Sequence, residues 1–170
     1  MKILSGLYKG RKIETSPKAQ YRPTKSLVRK SLFDILGPMN NNTFLDLFSG
    51  SGIMGFEAVS RGATQVHFVE SNYKHIQFLK MNSAPFPENN VFIHHLDAIS
   101  YLKSSNQFDF IFADPPYDKM DLIPLIDLAI QTLNKNGIFI LEVNRSNSKL
   151  LYDPEIRNYG KTQLAFWKNQ

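Results

Sequence analysis

The apolar run Phe108–Ala113, FDFIFA, stops abruptly at Asp114-Pro115-Pro116-Tyr117. That stop offers a carboxylate acceptor, two residues without a backbone N–H, and an aromatic ring. A loop alone accounts for an isolated Asp-Pro-Pro, but three further carboxylates stand at comparable positions. Asp46 lies in FLDLF, just before Ser49-Gly50-Ser51-Gly52; Glu70 closes QVHFVE; Asp97-Ala98 follows VFIHHL. Carboxylates so placed accept hydrogen bonds from hydroxyls and amines and attract cations. Gly50 and Gly52 let the chain turn tightly and approach a ligand, with a helix N-terminus expected just behind them.

Gly50, Gly52 and Gly55 also fit G-x-G-x-x-G, and Glu70 follows Gly50 by twenty residues. This is the dinucleotide fingerprint, in which the acid takes the ribose hydroxyls. A nicotinamide-dependent oxidoreductase is therefore one reading. Asp46 and Asp114 oppose it, because anions there repel a pyrophosphate. A ligand meeting Asp46, Glu70, Asp97 and Asp114 should be rich in donors and poor in negative charge. S-adenosylmethionine has a sulfonium, an ammonium, a ribose diol and an adenine amino group, and fits better than NAD.

The elements that must position these residues alternate. TFLDLF, QVHFVE, VFIHH, FDFIFA and GIFILEV read as strands. Between them, IMGFEAVSRGA (closed by Gly62), Asn72–Asn82 (Ile76 and Leu79 inward), Ala98–Leu102 and LIPLIDLAIQTL read as helices. Such alternation predicts βαβ units and a parallel sheet covered on both faces, where ligands bind beyond the carboxyl ends of the strands. EIRNYGKTQLAFWK reads as two strands joined at Tyr159-Gly160, an antiparallel edge. The expected fold class is α/β: a Rossmann-like, mostly parallel seven-stranded sheet with an antiparallel C-terminal hairpin and a small N-terminal extension.

That extension is where the charge lies. Residues 1–30 hold nine Lys or Arg and one acid, a net of +8, whereas the rest of the 170-residue chain is net −3. A basic arm on a mildly acidic body points to a polyanionic partner. ILSGLYKGRKIET alternates around Gly6 and Gly10 as a short hairpin would. RPTKSLVRKSLFDIL places Leu27, Val28, Leu32, Ile35 and Leu36 on one helical face, with Thr24 as N-cap and Gly37-Pro38 as stop. Asn40–Asn42 reads as a hinge, dividing an extension of residues 1–40 from a cofactor-binding domain of residues 41–170. With 42% hydrophobic and 21% charged residues, no cysteine, no long apolar run and no signal-like N-terminus, the expectation is a cytoplasmic domain of monomeric scale. His94 and His95 have no further His or Cys at ligand spacing and are expected to be structural.

LDLFSGSG resembles the first motif of the class I S-adenosylmethionine-dependent methyltransferases. DPPY resembles the motif of those that methylate exocyclic amino groups. Taken in order, SGLYKGRKIE, YRPTKSLVRKSLFDIL, FLDLFSGSGIMGFEAVSRGA, ADPPY and YGKTQLAFW are similar to one family over nearly the whole chain: the bacterial RsmD-type enzymes, which methylate N2 of a guanine in small-subunit rRNA. His95-Leu96 stands where that family commonly has a Gly before the adenine-side acid. The resemblance implies S-adenosylmethionine as donor, S-adenosylhomocysteine as product, no metal, and 16S rRNA as substrate within the small ribosomal subunit. It implies Asp46, Phe48, Ser49, Gly50, Gly52, Glu70, Asp97 and Ala98 as the cofactor site.

In that reading Asp114 and the Pro115 carbonyl hold the two N–H groups of the guanine amine. The paired prolines stiffen the loop, and Tyr117 stacks on the base. Arg11, Arg22, Lys25 and Arg29 grip RNA, with Arg22 and Arg29 nearest the pocket. The alternatives are a DNA adenine-N6 methyltransferase, which shares D-P-P-Y; the oxidoreductase; and an RNA-binding module without catalysis.

Overall fold

The computed structural model describes residues 1–15, 26–116, 120–145 and 150–170. Seven strands form one sheet: β1 (Thr43–Leu47), β2 (Gln65–Glu70), β3 (Val91–His95), β4 (Phe108–Ala113), β5 (Leu133–Asn144), β6 (Glu155–Tyr159) and β7 (Thr162–Lys168). Their order is β3-β2-β1-β4-β5-β7-β6. The first five are parallel, while β7 runs antiparallel to both β5 and β6. Five helices complete the described chain: α1 (Ser26–Leu36), α2 (Ile53–Ser60), α3 (Tyr73–Ser83), α4 (Ala98–Ser104) and α5 (Leu122–Gln131). The expected α/β sheet with its antiparallel edge is present. The chain reverses its direction of winding between β1 and β4, so a crevice opens beyond their carboxyl ends.

Alternation along each strand sends side chains to two apolar layers. Phe44, Phe68, Phe110 and Phe112 meet α1, α2 and α3, while Leu45, Leu47, Val69, Ile111 and Phe139 meet α4 and α5. α2 is buried along its whole length, so every one of its residues must be accommodated by packing. β5 begins four residues earlier than GIFILEV, and α5 is shorter accordingly. Leu133 pairs with Phe108, and a register irregularity with Asn136 at φ 62° lets the strand resume at Gly137.

The N-terminal residues join the first layer. Ile3, Ile13, Val28, Leu32, Phe33 and Met39 share one core with Phe44 and Phe56. Lys2 bridges Lys12 antiparallel, forming the expected hairpin. Asn40–Asn42 is a fastened turn rather than a loose hinge: Met39 is buried, and the Asn42 carbonyl accepts from Thr64 N–H at 2.9 Å. The inward face of α1 also differs from expectation. Leu27 and Ile35 are exposed, and Arg29 and Phe33 are buried with Val28 and Leu32. The helix is turned so that the Arg29 guanidinium reaches the Lys2 carbonyl at 2.7 Å. Thr24 lies outside the described residues.

His67, His94 and Tyr101 cluster where β2 and β3 meet α4. His67 Nδ1 lies 3.1 Å from His94 Nε2 and 2.9 Å from the Tyr101 hydroxyl. Burial lowers the His67 pKa to about 4, with His94 adding a smaller push, and burial raises Tyr101 to about 12. Unfolded histidine titrates near 6.5. Between those two values the unfolded chain binds more protons than the folded one, so stability falls as pH drops from about 6.5 toward about 4. Partial exposure of the ring reduces the size of this effect. Thermal melts at pH 7.5 and 5.0 should show a smaller acid shift for His67→Phe than for the native chain; equal shifts would assign the acid sensitivity elsewhere.

Candidate active site

β1 delivers the first carboxylate to the crevice. Asp46 is 2% exposed, and its Oδ2 accepts the Gly55 N–H at 3.0 Å. The residue therefore caps the first turn of α2 from a distance, where Gly52 supplies no capping side chain. Burial raises the Asp46 pKa well above the carboxylate range. The Gly55 bond works against that rise, and the charges of Asp114 and Glu70 add to it. Leu47 pairs with Val69 and with Ala113, so Asp46, Glu70 and Asp114 stand at the same end of the three neighbouring strands β1, β2 and β4.

Between Asp46 and α2 the backbone makes a tight cradle. Phe48 takes φ 57°, a conformation that costs a non-glycine residue on the order of 1–3 kcal/mol and signals a constrained site. Ser49 is pinned to β2, its N–H donating to the Val69 carbonyl at 3.1 Å and its hydroxyl to the Asp46 carbonyl at 2.5 Å. Gly52 stands at φ 79°, and a Cβ there would lie 2.6 Å from Leu79 and Phe56. Gly55 serves packing instead: a Cβ would meet the Phe68 ring at 2.3 Å, so its absence lets α2 lie close on the sheet. Among the described residues, the buried Ser51 hydroxyl has no hydrogen-bond partner.

Glu70 closes the cradle from β2. Its Oε2 accepts Gly50 N–H at 2.9 Å, and its Oε1 accepts Asn72 N–H at 2.7 Å. A carboxylate offers about four lone-pair sites, so the two backbone bonds and the His75 Nδ1 at 3.3 Å from Oε2 still leave capacity for a ligand hydroxyl. Asp97 is exposed and caps α4 through Ser100 N–H at 2.9 Å; its bonds to Ser100 lower its pKa and keep it ionised. Ala98 behind it is buried. His95, in the stretch that departs from the family pattern, instead bonds the Ser71 carbonyl at 3.0 Å. Asp114 directly follows β4 and is half-buried; Pro115 is buried and Pro116 exposed. Tyr117 lies outside the described residues.

These side chains are acceptors and a glycine cradle, and they fit a donor-rich cation such as S-adenosylmethionine. A pyrophosphate beside the carboxylates of Glu70 and Asp114 would be repelled, which counts against the oxidoreductase reading. Among the described residues, no group of three or more His, Cys, Asp or Glu is arranged to hold a metal ion, and no helix is long and apolar enough to cross a membrane.

The basic residues divide. Arg11 is exposed on the hairpin, its guanidinium 5.6 Å from the Tyr8 ring centroid. Arg29 does not offer itself to a phosphate: it is 2% exposed and paired with Glu57, Nε to Oε2, at 3.6 Å. A charge in a helix reads as solvated by default, and only the partner 28 residues away overrides that. Arg22 and Lys25 lie outside the described residues. Sequence reading also missed Glu57, Ser60 and Asn82, all buried. Glu57 alone carried a signal, as the one acid within an otherwise apolar helix. A cleft of about 430 Å³ at the other end of α2, lined by Ser5, Gly6, Phe33, Asp34, Gly37, Pro38 and Arg61, shares no residue with the carboxylate cluster.

The family described as Conserved hypothetical protein 95 matches residues 1–168. The chain is similar to the Ribosomal RNA small subunit methyltransferase D of Buchnera aphidicola (34% identity; 91% of this chain, 81% of the relative). It is similar to the protein of the same name from Escherichia coli (30%; 98% and 81%). A solved structure from Thermus thermophilus, a hypothetical protein, superposes with TM-score 0.85 at 28% identity, covering 98% of both chains. Order of strands, acidic crevice and these likenesses agree: the chain belongs to the RsmD family of S-adenosylmethionine-dependent rRNA methyltransferases.

Proposed function

We propose that this protein transfers a methyl group from S-adenosylmethionine to the exocyclic N2 of a guanine in 16S rRNA, presented within the small ribosomal subunit. The observation that carries the reading is the placement of Asp114-Pro115-Pro116 directly after β4, beside β1, with the charge of Asp114 felt at Asp46. The residue that would orient the base thus adjoins the residues that would hold the cofactor.

A guanine amine is a poor nucleophile because its lone pair is delocalised into the ring. Asp114 accepts one of its N–H groups and the Pro115 carbonyl the other, which favours a pyramidal nitrogen with its lone pair directed outward. Two successive prolines fix φ, so both acceptors are in place before the base arrives. Tyr117 stacks on the base, a contact worth about 1–3 kcal/mol. Glu70 takes the ribose hydroxyls, and Asp97 with Ala98 borders the adenine. Asp46 and the turn Phe48–Gly52 shape the remaining surface. When bound, S-adenosylmethionine supplies an electrophilic methyl on sulfonium, and alignment with the nitrogen makes transfer effectively unimolecular. The displaced proton passes by way of Asp114 to water.

Residues 1–40 supply the RNA contact and pocket closure in this reading, and residues 41–170 the cofactor site. Arg11 is the phosphate contact among the described residues, with Arg22 and Lys25 in the same role. The enzyme acts as a cytoplasmic monomer. The test uses small subunits from cells lacking the modification, incubated with the protein and methyl-labelled S-adenosylmethionine, then digested to nucleosides. Label in N2-methylguanosine from 16S rRNA is expected. Label on another atom or on no nucleoside would reject the substrate assignment.

A further inference from the structure

Asn82 connects two parts of the molecule that the reaction would use separately. It lies near the C-terminal end of α3 and is 5% exposed. Its Oδ1 accepts the Glu14 N–H at 2.9 Å, and its Nδ2 donates to the Glu14 carbonyl at 2.9 Å and to the Ser51 carbonyl at 3.1 Å. Both amide hydrogens are used, and reversing the amide would set Nδ2 against the Glu14 N–H, so the pattern determines the orientation. Glu14 follows the paired strand that carries Arg11 and Lys12. Ser51 stands between Gly50, held by Glu70, and Gly52. One turn earlier on α3, Leu79 presses on Gly52. The helix therefore meets the cradle at two successive residues and the basic hairpin at a third.

We infer that Asn82 is a positioning residue that couples the N-terminal basic hairpin to the cofactor cradle, so that occupancy at either one changes affinity at the other. The inference rests on reading the cradle as the S-adenosylmethionine site and the hairpin as an RNA contact. A shift of the hairpin on RNA would pull on the Glu14 backbone, and through one planar amide on the Ser51 carbonyl. By linkage the effect is reciprocal.

The experiment measures the affinity of small ribosomal subunits for the protein with and without saturating S-adenosylhomocysteine, whose own binding is measured by calorimetry. In the native chain the ratio of affinities should be about fivefold or more. In Asn82→Ala it should fall close to one. Glu14→Pro removes the N–H that meets Oδ1, together with the exposed Lys12 ion pair and the free φ of residue 14, and takes away no buried side chain; it is used as a second variant once its melting temperature shows it folded, and its ratio should fall as well. A purely structural Asn82 would lower the melting temperature and leave the ratio intact, which would overturn the inference. Failure of S-adenosylhomocysteine to bind would remove the cofactor reading and this inference with it. Binding of cofactor but not subunits would remove the RNA reading. Binding of both with independent affinities in the native chain would overturn the coupling alone.

Discussion

Asp114→Ala is expected to slow methyl transfer by about 10²–10³-fold, the cost of losing one preorganised hydrogen-bond partner in a reaction centre. Cofactor affinity should change by less than about threefold, under 1 kcal/mol. The two halves of this expectation have separate causes. Asp114 is one of two acceptors proposed for the guanine amine, and the Pro115 carbonyl alone cannot hold both N–H groups. Toward the cofactor, Asp114 acts through charge: its repulsion helps raise the Asp46 pKa. Its removal eases Asp46, and the cradle keeps the contacts that run through Glu70, Ser49 and Gly55. Single-turnover transfer to small subunits, paired with calorimetric titration of S-adenosylhomocysteine, separates the effects. A rate within tenfold of native would refute the acceptor role, and a parallel loss of cofactor binding would make Asp114 part of the cradle.

Glu57→Ala should be the most damaging substitution for stability, by about 3–5 kcal/mol, the usual cost of removing one partner from a buried ion pair. The Glu57 carboxylate is fully buried on α2. It accepts Leu4 N–H at 2.8 Å, Ser5 N–H at 3.1 Å and Arg61 Nε at 2.9 Å, and it faces Arg29 across 3.6 Å. Alanine would leave Arg29 buried with the Lys2 carbonyl as its one polar partner among the described residues, and would strip the N-terminal hairpin of two of its anchors. Ser60 would still hold that hairpin through Tyr8 N–H and the Ser5 carbonyl, so detachment should precede full collapse. The melting temperature should fall by on the order of 10 °C. The double replacement Glu57→Leu with Arg29→Met should recover part of the loss, because it removes the buried Arg29 charge while Arg61 and the Leu4 and Ser5 N–H groups still lose their acceptor. Urea melts of the native chain and the two variants decide it. A loss below about 1 kcal/mol for Glu57→Ala would mean the pair contributes little.

The order of strands and helices along the chain, the crevice at their carboxyl ends, and the acids and glycines proposed to line it are legible in the sequence alone. Those properties are written locally: period-two and helical alternation, glycines that open a turn, and a polar residue ending an apolar run. Along β1, Phe44 enters one core layer and Leu45 and Leu47 the other. Tertiary structure alone decided which polar groups are buried and with whom. Arg29 looked like a phosphate contact because a lone arginine on a helix costs least in water; its burial depends on Glu57 and on a carbonyl of residue 2. Asn82 had no local signal, since its partners are 31 and 68 residues distant in sequence. The same holds for the inward face of α1, where Phe33 and Arg29 displace Leu27 and Ile35. Hydrophobic periodicity is a property of neighbours along the chain. Satisfying a buried charge or amide is a property of neighbours in space, and only the folded chain brings those together.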